Sequence, residues 1–305
     1  MVTVPLLLEN MYQKIWKNVK KNKPMEIKLK VALFYTDLLN KVFKIDIRQK
    51  TFKSITDNFG GRLRLIITGA AAVNPKVSKF FRKIGILVLQ GYGLTECAPL
   101  VTGNRDKNFK DNAAGLPIPG VQLKIMNPNR NGIGEIAVKG DNVMLGYYKN
   151  DIATKKCFSD GWFLTGDLGH VVRNGFLHIT GRLKNVIITK NGENVYPEEI
   201  ETHINNSPFV QESLVYGVYD HKSGKTFICA QIFPNIDAIR EKLEILNIST
   251  KELMKALNDV VNNVNKEMPL YKHIHQFIIR EKEFAKTTTK KIKRYIDPPT
   301  DHAFL

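Results

Sequence analysis

Four stretches of this chain place polar and glycine residues where nucleotide and phosphate chemistry could be done. Gly91-Tyr92-Gly93-Leu94-Thr95-Glu96 sets a hydroxyl and a carboxylate on backbone kept narrow by glycines. A hydroxyl hydrogen-bonds a phosphate oxygen, and a carboxylate holds the Mg²⁺ that neutralises it. Tyr92 adds a flat face for a purine, although the hexapeptide reads equally as a strand–turn with an N-capping threonine. In Asp160-Gly161-Trp162-Phe163-Leu164-Thr165-Gly166-Asp167, the last carboxylate sits where it can accept both hydroxyls of a ribose. An aspartate capping a turn accounts for that string as well. Gly181-Arg182-Leu183-Lys184 offers Arg182 as a ribose or phosphate contact and Lys184 at a joint between domains. Gly192 lets a second chain, such as a pantetheine arm, approach the backbone, while a plain hairpin also explains Asn191-Gly192. The basic run Lys286–Arg294 is either a solvated charged tail or the carrier of one lysine that reaches into a nucleotide site. It lacks the interleaved aromatics that stack on bases, so nucleic acid is not an expected partner.

The elements that must position these groups are legible from periodicity. Leu8, Met11, Tyr12, Ile15, Trp16 and Val19 recur at helical steps, and a second helix is expected over Glu26–Phe43. Basic residues crowd their other faces, as on a membrane-surface helix, but Trp16 and Phe34 among aliphatics point instead to packing onto a sheet. Leu63–Thr68 and Ile86–Gln90 read as strands flanking a helix marked by Val77, Phe80, Phe81 and Ile84. Strand, helix, strand at this spacing predicts an α/β unit with a parallel sheet, whose ligands sit at the strands' carboxyl ends. From about 113 to 181 the texture becomes short strands with hairpin signals at Asn131-Gly132 and Asn174-Gly175. Pro197 opens a helix with acids in its first turn, strands follow near 213–218 and 227–233, and Ser249–Glu252 is a capping box. The fold class is α/β with a small β subdomain or barrel, then a compact α+β domain. The expected division is 1–112, 113–181 and 182–305, with a tight joint at 182–185.

With 305 residues, 43% hydrophobic and 25% charged, the composition is that of a globular protein with a sizeable core. The net charge of +17 reads first as lysine-rich solvated faces and otherwise as attraction to polyanions, whether nucleotides, coenzyme A, an anionic membrane surface or nucleic acid, which charge does not separate. Cys97, Cys157 and Cys229 have no metal-type spacing and predict no disulfide framework. His273 and His275 read as the exposed face of a strand. No run approaches the ~18 apolar residues of a membrane span. The first residues lack the pattern of a signal peptide, so the expected location is cytoplasmic, with peripheral membrane contact as a further class.

These blocks, in this order, resemble the adenylate-forming superfamily of acyl-CoA synthetases, luciferases and peptide-synthetase adenylation domains. Long-chain fatty-acid–CoA ligases and related acyl-carrier-protein ligases resemble the chain most. Val4-Pro5-Leu6-Leu7-Leu8-Glu9-Asn10-Met11-Tyr12, the segment Asn112–Gly120, the segment Gly134–Gly140 and Gly146-Tyr147-Tyr148 are similar to further blocks of that family. The resemblance implies that Gly69, Ala70, Ala71 and Tyr92 line the adenine pocket, with Gly93 in the same nucleotide-binding turn. It implies that Thr95 binds the α-phosphate, Glu96 holds Mg²⁺, and Asp167 and Arg182 hold the ribose. Lys184 becomes the pivot, Gly192 a contact for CoA, and Lys291 the catalytic lysine that bridges carboxylate and α-phosphate. The family usually has glycine just before that lysine; here it is Lys290, and Ile292 and Arg294 favour Lys291 over its neighbour.

The implied reaction consumes ATP and a fatty acid with Mg²⁺ and passes the acyl group to CoA. The family's phosphate-gripping Ser/Thr/Gly-rich loop has no counterpart here, so the chain is expected to be inactive alone, as a ligase half from a split or a truncated gene, with a separately encoded N-terminal half as one candidate partner. A non-catalytic remnant or interaction module, and half of an acyl-carrier-protein ligase, are the alternatives.

Overall fold

The computed structural model describes residues 1–69, 71–288, 291–294 and 296. Ala70 and Lys290, both named above as candidates, lie outside the described residues. The chain forms two compact units. One holds Met1–Thr165 with Gly169–Ile179, and the other holds Gly166–Leu168 with Thr180–Leu305.

The first unit opens with β1 (Val2–Thr3), α1 (Pro5–Lys20) and α2 (Lys23–Leu38). Proline in the first turn starts both helices, and the Asn22 side chain caps the second by accepting from the Met25 amide at 3.3 Å. The short helices α3 (Arg48–Thr51) and α4 (Lys53–Thr56) lead to β2 (Leu65–Thr68), α5 (Pro75–Lys83) and β3 (Leu87–Gly93). β1, β2 and β3 pair in parallel, Thr68 standing opposite Gln90. β4 (Leu100–Gly103) and β5 (Leu116–Pro117) extend the sheet antiparallel. Leu8, Val19, Leu29, Leu33, Phe81 and Ile66 form one core between the helices and this sheet. Tyr12 meets Phe80 edge-on at 5.1 Å, which fixes α1 against α5.

Three expectations change here. The strand expected to stop at Gln90 continues through Gly93, because Gly91 and Tyr92 pair with Gly103 and Thr102 of β4. The second helix begins at Lys23 and, after Leu38, widens into a π-type turn over Leu39–Phe43. Phe34 does not pack on the sheet but is 62% exposed.

β6 (Gln122–Met126) and β7 (Gly134–Lys139) form a hairpin, followed by α6 (Asp151–Lys156), β8 (Phe158–Ser159), β9 (Trp162–Val171) and β10 (Leu177–Arg182). The second sheet runs β10-β9-β7-β6, with β8 on β9. Its hairpins turn at Gly132 and Gly175, both at positive φ as their Asn-Gly signals demand.

The second unit continues through β11 (Ile187–Ile188), β12 (Asn194–Val195), α7 (Pro197–Asn205), β13 (Val210–Asp220), β14 (Lys225–Pro234), α8 (Ile236–Leu243), α9 (Thr250–Lys266) and β15 (Ile274–Ile279). β13 and β14 are antiparallel; β15 returns parallel to β14 after the α8–α9 crossover. The capping box forms in full, with Ser249 and Glu252 each satisfying the other's backbone amide. Ile200, Ile204, Val215, Ile228, Ile232 and Leu257 are the centre of its core. His275 lies exposed on β15 against Phe227, and all three cysteines are free thiols.

Candidate functional site

Each unit presents its own part of the candidate set. In the first, β3 delivers Tyr92 and Gly93 to a turn that carries Thr95 and Glu96. A side chain at Gly93 would place Cβ 1.8 Å from the Pro99 carbonyl oxygen, so the close approach of two backbones requires glycine there. The next residues form a 3₁₀ turn, Thr95–Cys97, whose return is pinned by Asn142. The Asn142 amide donates to the carbonyls of Cys97 (2.9 Å) and Leu100 (2.8 Å). This exposes Thr95 and leaves Glu96 half-buried.

The Tyr147 hydroxyl donates to Glu96 Oε1 at 2.9 Å. Burial and that carboxylate together push the Tyr147 phenol up to about 12, so it stays a donor at neutral pH. In the sequence Tyr147 stands out only as part of the Gly146-Tyr147-Tyr148 block. Its own signal was that block, since its partner lies 51 residues away. Glu96 Oε2 accepts from no donor among the described residues. No group of three or more His, Cys, Asp or Glu side chains fit for a metal occurs among the described residues. A cation here would take one protein carboxylate and draw its other ligands from phosphate and water, as Mg²⁺ commonly does.

Tyr92 is buried with Cys97, Val101 and Ile136, so its ring belongs mostly to the core. Gly69 follows β2, where an added Cβ would lie 3.6 Å from the Gly91 carbonyl oxygen, and Ala71 beside it is exposed. Cys97 is no nucleophile: burial, and then Glu96, push its thiol up to about 11.

In the second unit the Arg182 guanidinium donates to Asp167 Oδ1 at 2.8 Å, and Asp167 is 6% exposed. Lys291 joins them electrostatically. Its ammonium is held below the usual lysine range, first by burial among protein atoms and then by Arg182, with Asp167 pulling the other way. Lys291 itself is exposed to solvent, so this lowering is partly screened.

The segment bearing Lys291 is a tight hairpin rather than a solvated tail. Thr287 donates its amide to the Lys291 carbonyl at 2.8 Å, and Lys291 donates its own to Thr287 Oγ1 at 3.1 Å. Lys286 and Ile292 bridge across it. Ion pairs hold both ends: Lys286 lies 2.5 Å from Glu212 on β13, and Arg294 grips both oxygens of Glu201 on α7 at 2.7 and 2.5 Å. Arg294 also donates to the Val215 carbonyl at 3.1 Å. Burial pushes the Glu201 carboxyl up, and Arg294 with the Val215 amide pulls it back. Glu201 and Glu212 were not singled out from sequence.

Lys184 is exposed in the 3₁₀ turn Leu183–Asn185, directly after β10. Gly192 turns the β11–β12 hairpin at φ +78°, and no atom crowds the place of a Cβ, so the turn alone accounts for glycine there.

A sequence family described as "AMP-binding enzyme" matches residues 1–148, and its C-terminal domain family matches residues 184–296. The long-chain-fatty-acid–CoA ligase FadD15 of Mycobacterium bovis is 30% identical over 260 residues, covering 80% of this chain and 42% of that protein. The long-chain-fatty-acid–CoA ligase of Salmonella typhimurium is 37% identical over 200 residues, covering 64% of this chain and 34% of that one. The chain thus spans less than half the length of these curated relatives. Among solved structures, AMP-bound o-succinylbenzoate CoA synthetase (MenE) of Bacillus subtilis superposes with a TM-score of 0.65 at 26% identity, over 83% of this chain and 50% of that one. ATP-bound MatB of Rhodopseudomonas palustris gives 0.64 at 29% identity, over 81% and 48%.

Proposed function

The chain belongs to the AMP-binding enzymes, in the lineage of the acid–thiol ligases, and we propose that it supplies the adenylate-handling half of a fatty acid–CoA ligase. The observation that carries this reading is the trio in the second unit. A buried carboxylate, Asp167, is ion-paired with Arg182, and both act on the charge of Lys291. A structural ion pair needs no third cation beside it; a nucleotide-binding set that stabilises developing negative charge does.

In this reading a fatty-acid carboxylate oxygen attacks the α-phosphorus of ATP, and the bond to the leaving pyrophosphate breaks. Thiol sulfur then attacks the acyl carbonyl of the acyl-adenylate and displaces AMP. Thr95 donates to the α-phosphate, and Glu96, oriented by Tyr147, would hold Mg²⁺. When bound, Mg²⁺ supplies charge neutralisation at the phosphates. Gly69, Ala71, Gly93 and the remaining edge of Tyr92 border the adenine, while Asp167 and Arg182 take the ribose. Lys291 bridges the carboxylate and α-phosphate in the first step. Residues 182–305 form a mobile domain that turns at 182–185 about Lys184 between the steps, with Gly192 meeting CoA after the turn. The parts of the relatives that this chain does not span, joined to it or supplied as a second chain, grip the β- and γ-phosphates and wall the acyl site.

The purified chain given ATP and palmitate is expected to form no acyl-CoA; formation by the chain alone would overturn the reading. Supplied with the remainder of a relative, it should become active. Lys291→Ala should then slow adenylation by about 10²–10³-fold, while thioester formation from added acyl-adenylate is spared. Equal losses in both steps would remove the role given to Lys291.

A further inference from the structure

Helix α7 carries Glu198, Glu199 and Glu201, and each meets a different part of the second unit. Glu199 takes Lys272, whose ammonium donates to both of its oxygens at 2.8 and 2.7 Å. Glu201 takes Arg294, at the foot of the Lys291 hairpin. Glu198 goes to the joint. The Asn185 side-chain amide donates to Glu198 Oε1 at 2.5 Å, and Arg294 Nη2 lies 3.7 Å from that same oxygen. The other oxygen lies against the end of β10, where a Cβ on Gly181 would come within 2.6 Å of it. There Oε2 is buried and meets no donor among the described residues.

One carboxylate thus sits astride Lys184, with Gly181 before that residue and Asn185 directly after it. Because Oε2 is unpartnered, the contacts of Oε1 alone orient the group, so Asn185 and Arg294 orient it together. An acid in a first helical turn is ordinarily explained by the helix dipole. Glu199, in the same turn, fits that explanation and has no hydrogen bond or ion pair with the joint among the described residues. Glu198 does not fit it, because burying one carboxylate oxygen without a donor carries a desolvation cost that the dipole does not require. Glu198 also acts on its neighbour: behind burial, its charge helps to push the Glu201 carboxyl up. The two acids and Arg294 therefore respond as one set.

We propose that Glu198 is a positioning residue that couples the joint at 182–185 to the hairpin bearing Lys291. While the Asn185 amide stays on Oε1, the carboxylate stays beside Arg294 and adds its charge to that of Glu201 at the foot of the hairpin. A turn about Lys184 moves Gly181 relative to Asn185, so the carboxylate must give up one of its contacts across the joint. Losing the Asn185 contact loosens the hairpin, and Lys291 with it. The effect of that loosening on adenylation rests on the ligase reading; the coupling between joint and hairpin does not.

The test is residue-resolved hydrogen exchange on the full chain, which requires no catalysis. Its reporters are the hydrogen-bonded amides of Thr287, Lys291 and Lys293 in the hairpin and of Val186 at the joint. Glu198→Ala should speed exchange about tenfold at both places. Asn185→Ala removes no contact of the hairpin itself, yet it should speed hairpin exchange by a few-fold. In the Glu198→Ala background it should add nothing there. Glu198→Gln keeps an acceptor for Asn185 but loses the charge facing Arg294, so the joint should stay protected while the hairpin exchanges a few-fold faster. Glu199→Ala should leave both places as in the parent.

Hairpin exchange untouched by Asn185→Ala, or raised equally in both backgrounds, would overturn the coupling. So would the same pattern in Glu199→Ala, which would assign the effect to α7 as a whole. In the reconstituted ligase, Glu198→Ala should slow adenylation by about tenfold and spare thioester formation from added acyl-adenylate. Equal losses in both steps would deny Glu198 a part in placing Lys291. Coupled exchange in a chain that never forms acyl-adenylate on reconstitution would count against the ligase reading and for the coupling.

Discussion

The turn that carries Thr95 and Glu96 and the hairpin that carries Lys291 are both short, polar and set on a sheet-bearing unit, but they are held in different ways. The first is fixed by backbone. β3 pairs on both sides, Gly93 admits the Pro99 carbonyl, and Asn142 closes the return through two main-chain acceptors. The second is fixed at its base by side-chain ion pairs, Lys286 with Glu212 and Arg294 with Glu201. Backbone ladders with close glycine contact tolerate almost no displacement. Ion pairs hold a segment through side chains, which yield more readily than a backbone ladder. Backbone thus fixes the first segment directly, and side chains fix the second.

The contrast can be broken first at Gly93. Gly93→Ala drives a methyl group into backbone that cannot yield, so a loss of about 4 kcal/mol or more of stability is expected, read as a lowered unfolding midpoint of the first unit. A variant as stable as the parent would show that the turn is not held by close backbone approach.

Arg294→Ala should cost about 3 kcal/mol in the second unit, because it strands the largely buried Glu201 carboxylate. Glu201→Gln with Arg294→Leu should recover much of that loss while still displacing the Lys291 hairpin, visible as raised hydrogen exchange at residues 286–294. Exchange unchanged in the double variant would deny the clamp its positioning role.

A subtler separation of the two regions uses pH. In the proposed bridging role Lys291 must be protonated, and its pKa is lowered, so adenylation should fall as pH rises through a value below the ordinary 10.5. The sign for stability is the opposite. Between the folded pKa and the unfolded one the unfolded chain binds the extra proton, so the penalty of a charged Lys291 is relieved as pH rises across that window. Lys291→Arg should move the alkaline limb of adenylation upward, since a guanidinium does not titrate there. An alkaline limb that stays put in that variant would assign it to another group.

The smallest effect is expected at Tyr147→Phe. Removing one hydrogen bond to a half-exposed carboxylate should change stability by about 1 kcal/mol or less. In the reconstituted enzyme it should raise the Mg²⁺ concentration needed for half-maximal adenylation more than it lowers the rate at saturating metal. A pure loss of rate would give Tyr147 a different task.

Local signals were read well from sequence because they act over a few residues. The hairpins at Gly132, Gly175 and Gly192, the Pro197 helix start and the Ser249–Glu252 box depend on φ preference and neighbouring side chains alone. The parallel order of β2 and β3 followed from a helix between two short apolar runs. What periodicity could not resolve was α2, which is apolar on both sides: both faces satisfy the helical step, so Phe34 was placed inward. Only the packing of Leu29 and Leu33 shows which face the core chose.

The sequence by itself determined the motif order, the identity of Thr95, Glu96, Asp167, Arg182 and Lys291 as candidates, and the elements that carry them. Tertiary structure alone decided their partners. Tyr147 reaches Glu96 across 51 residues, and Arg294 reaches Glu201 across 93. A pattern of residue types records what a side chain can donate or accept, whereas the partner it meets depends on how strands pair and helices cross, which no local spacing encodes.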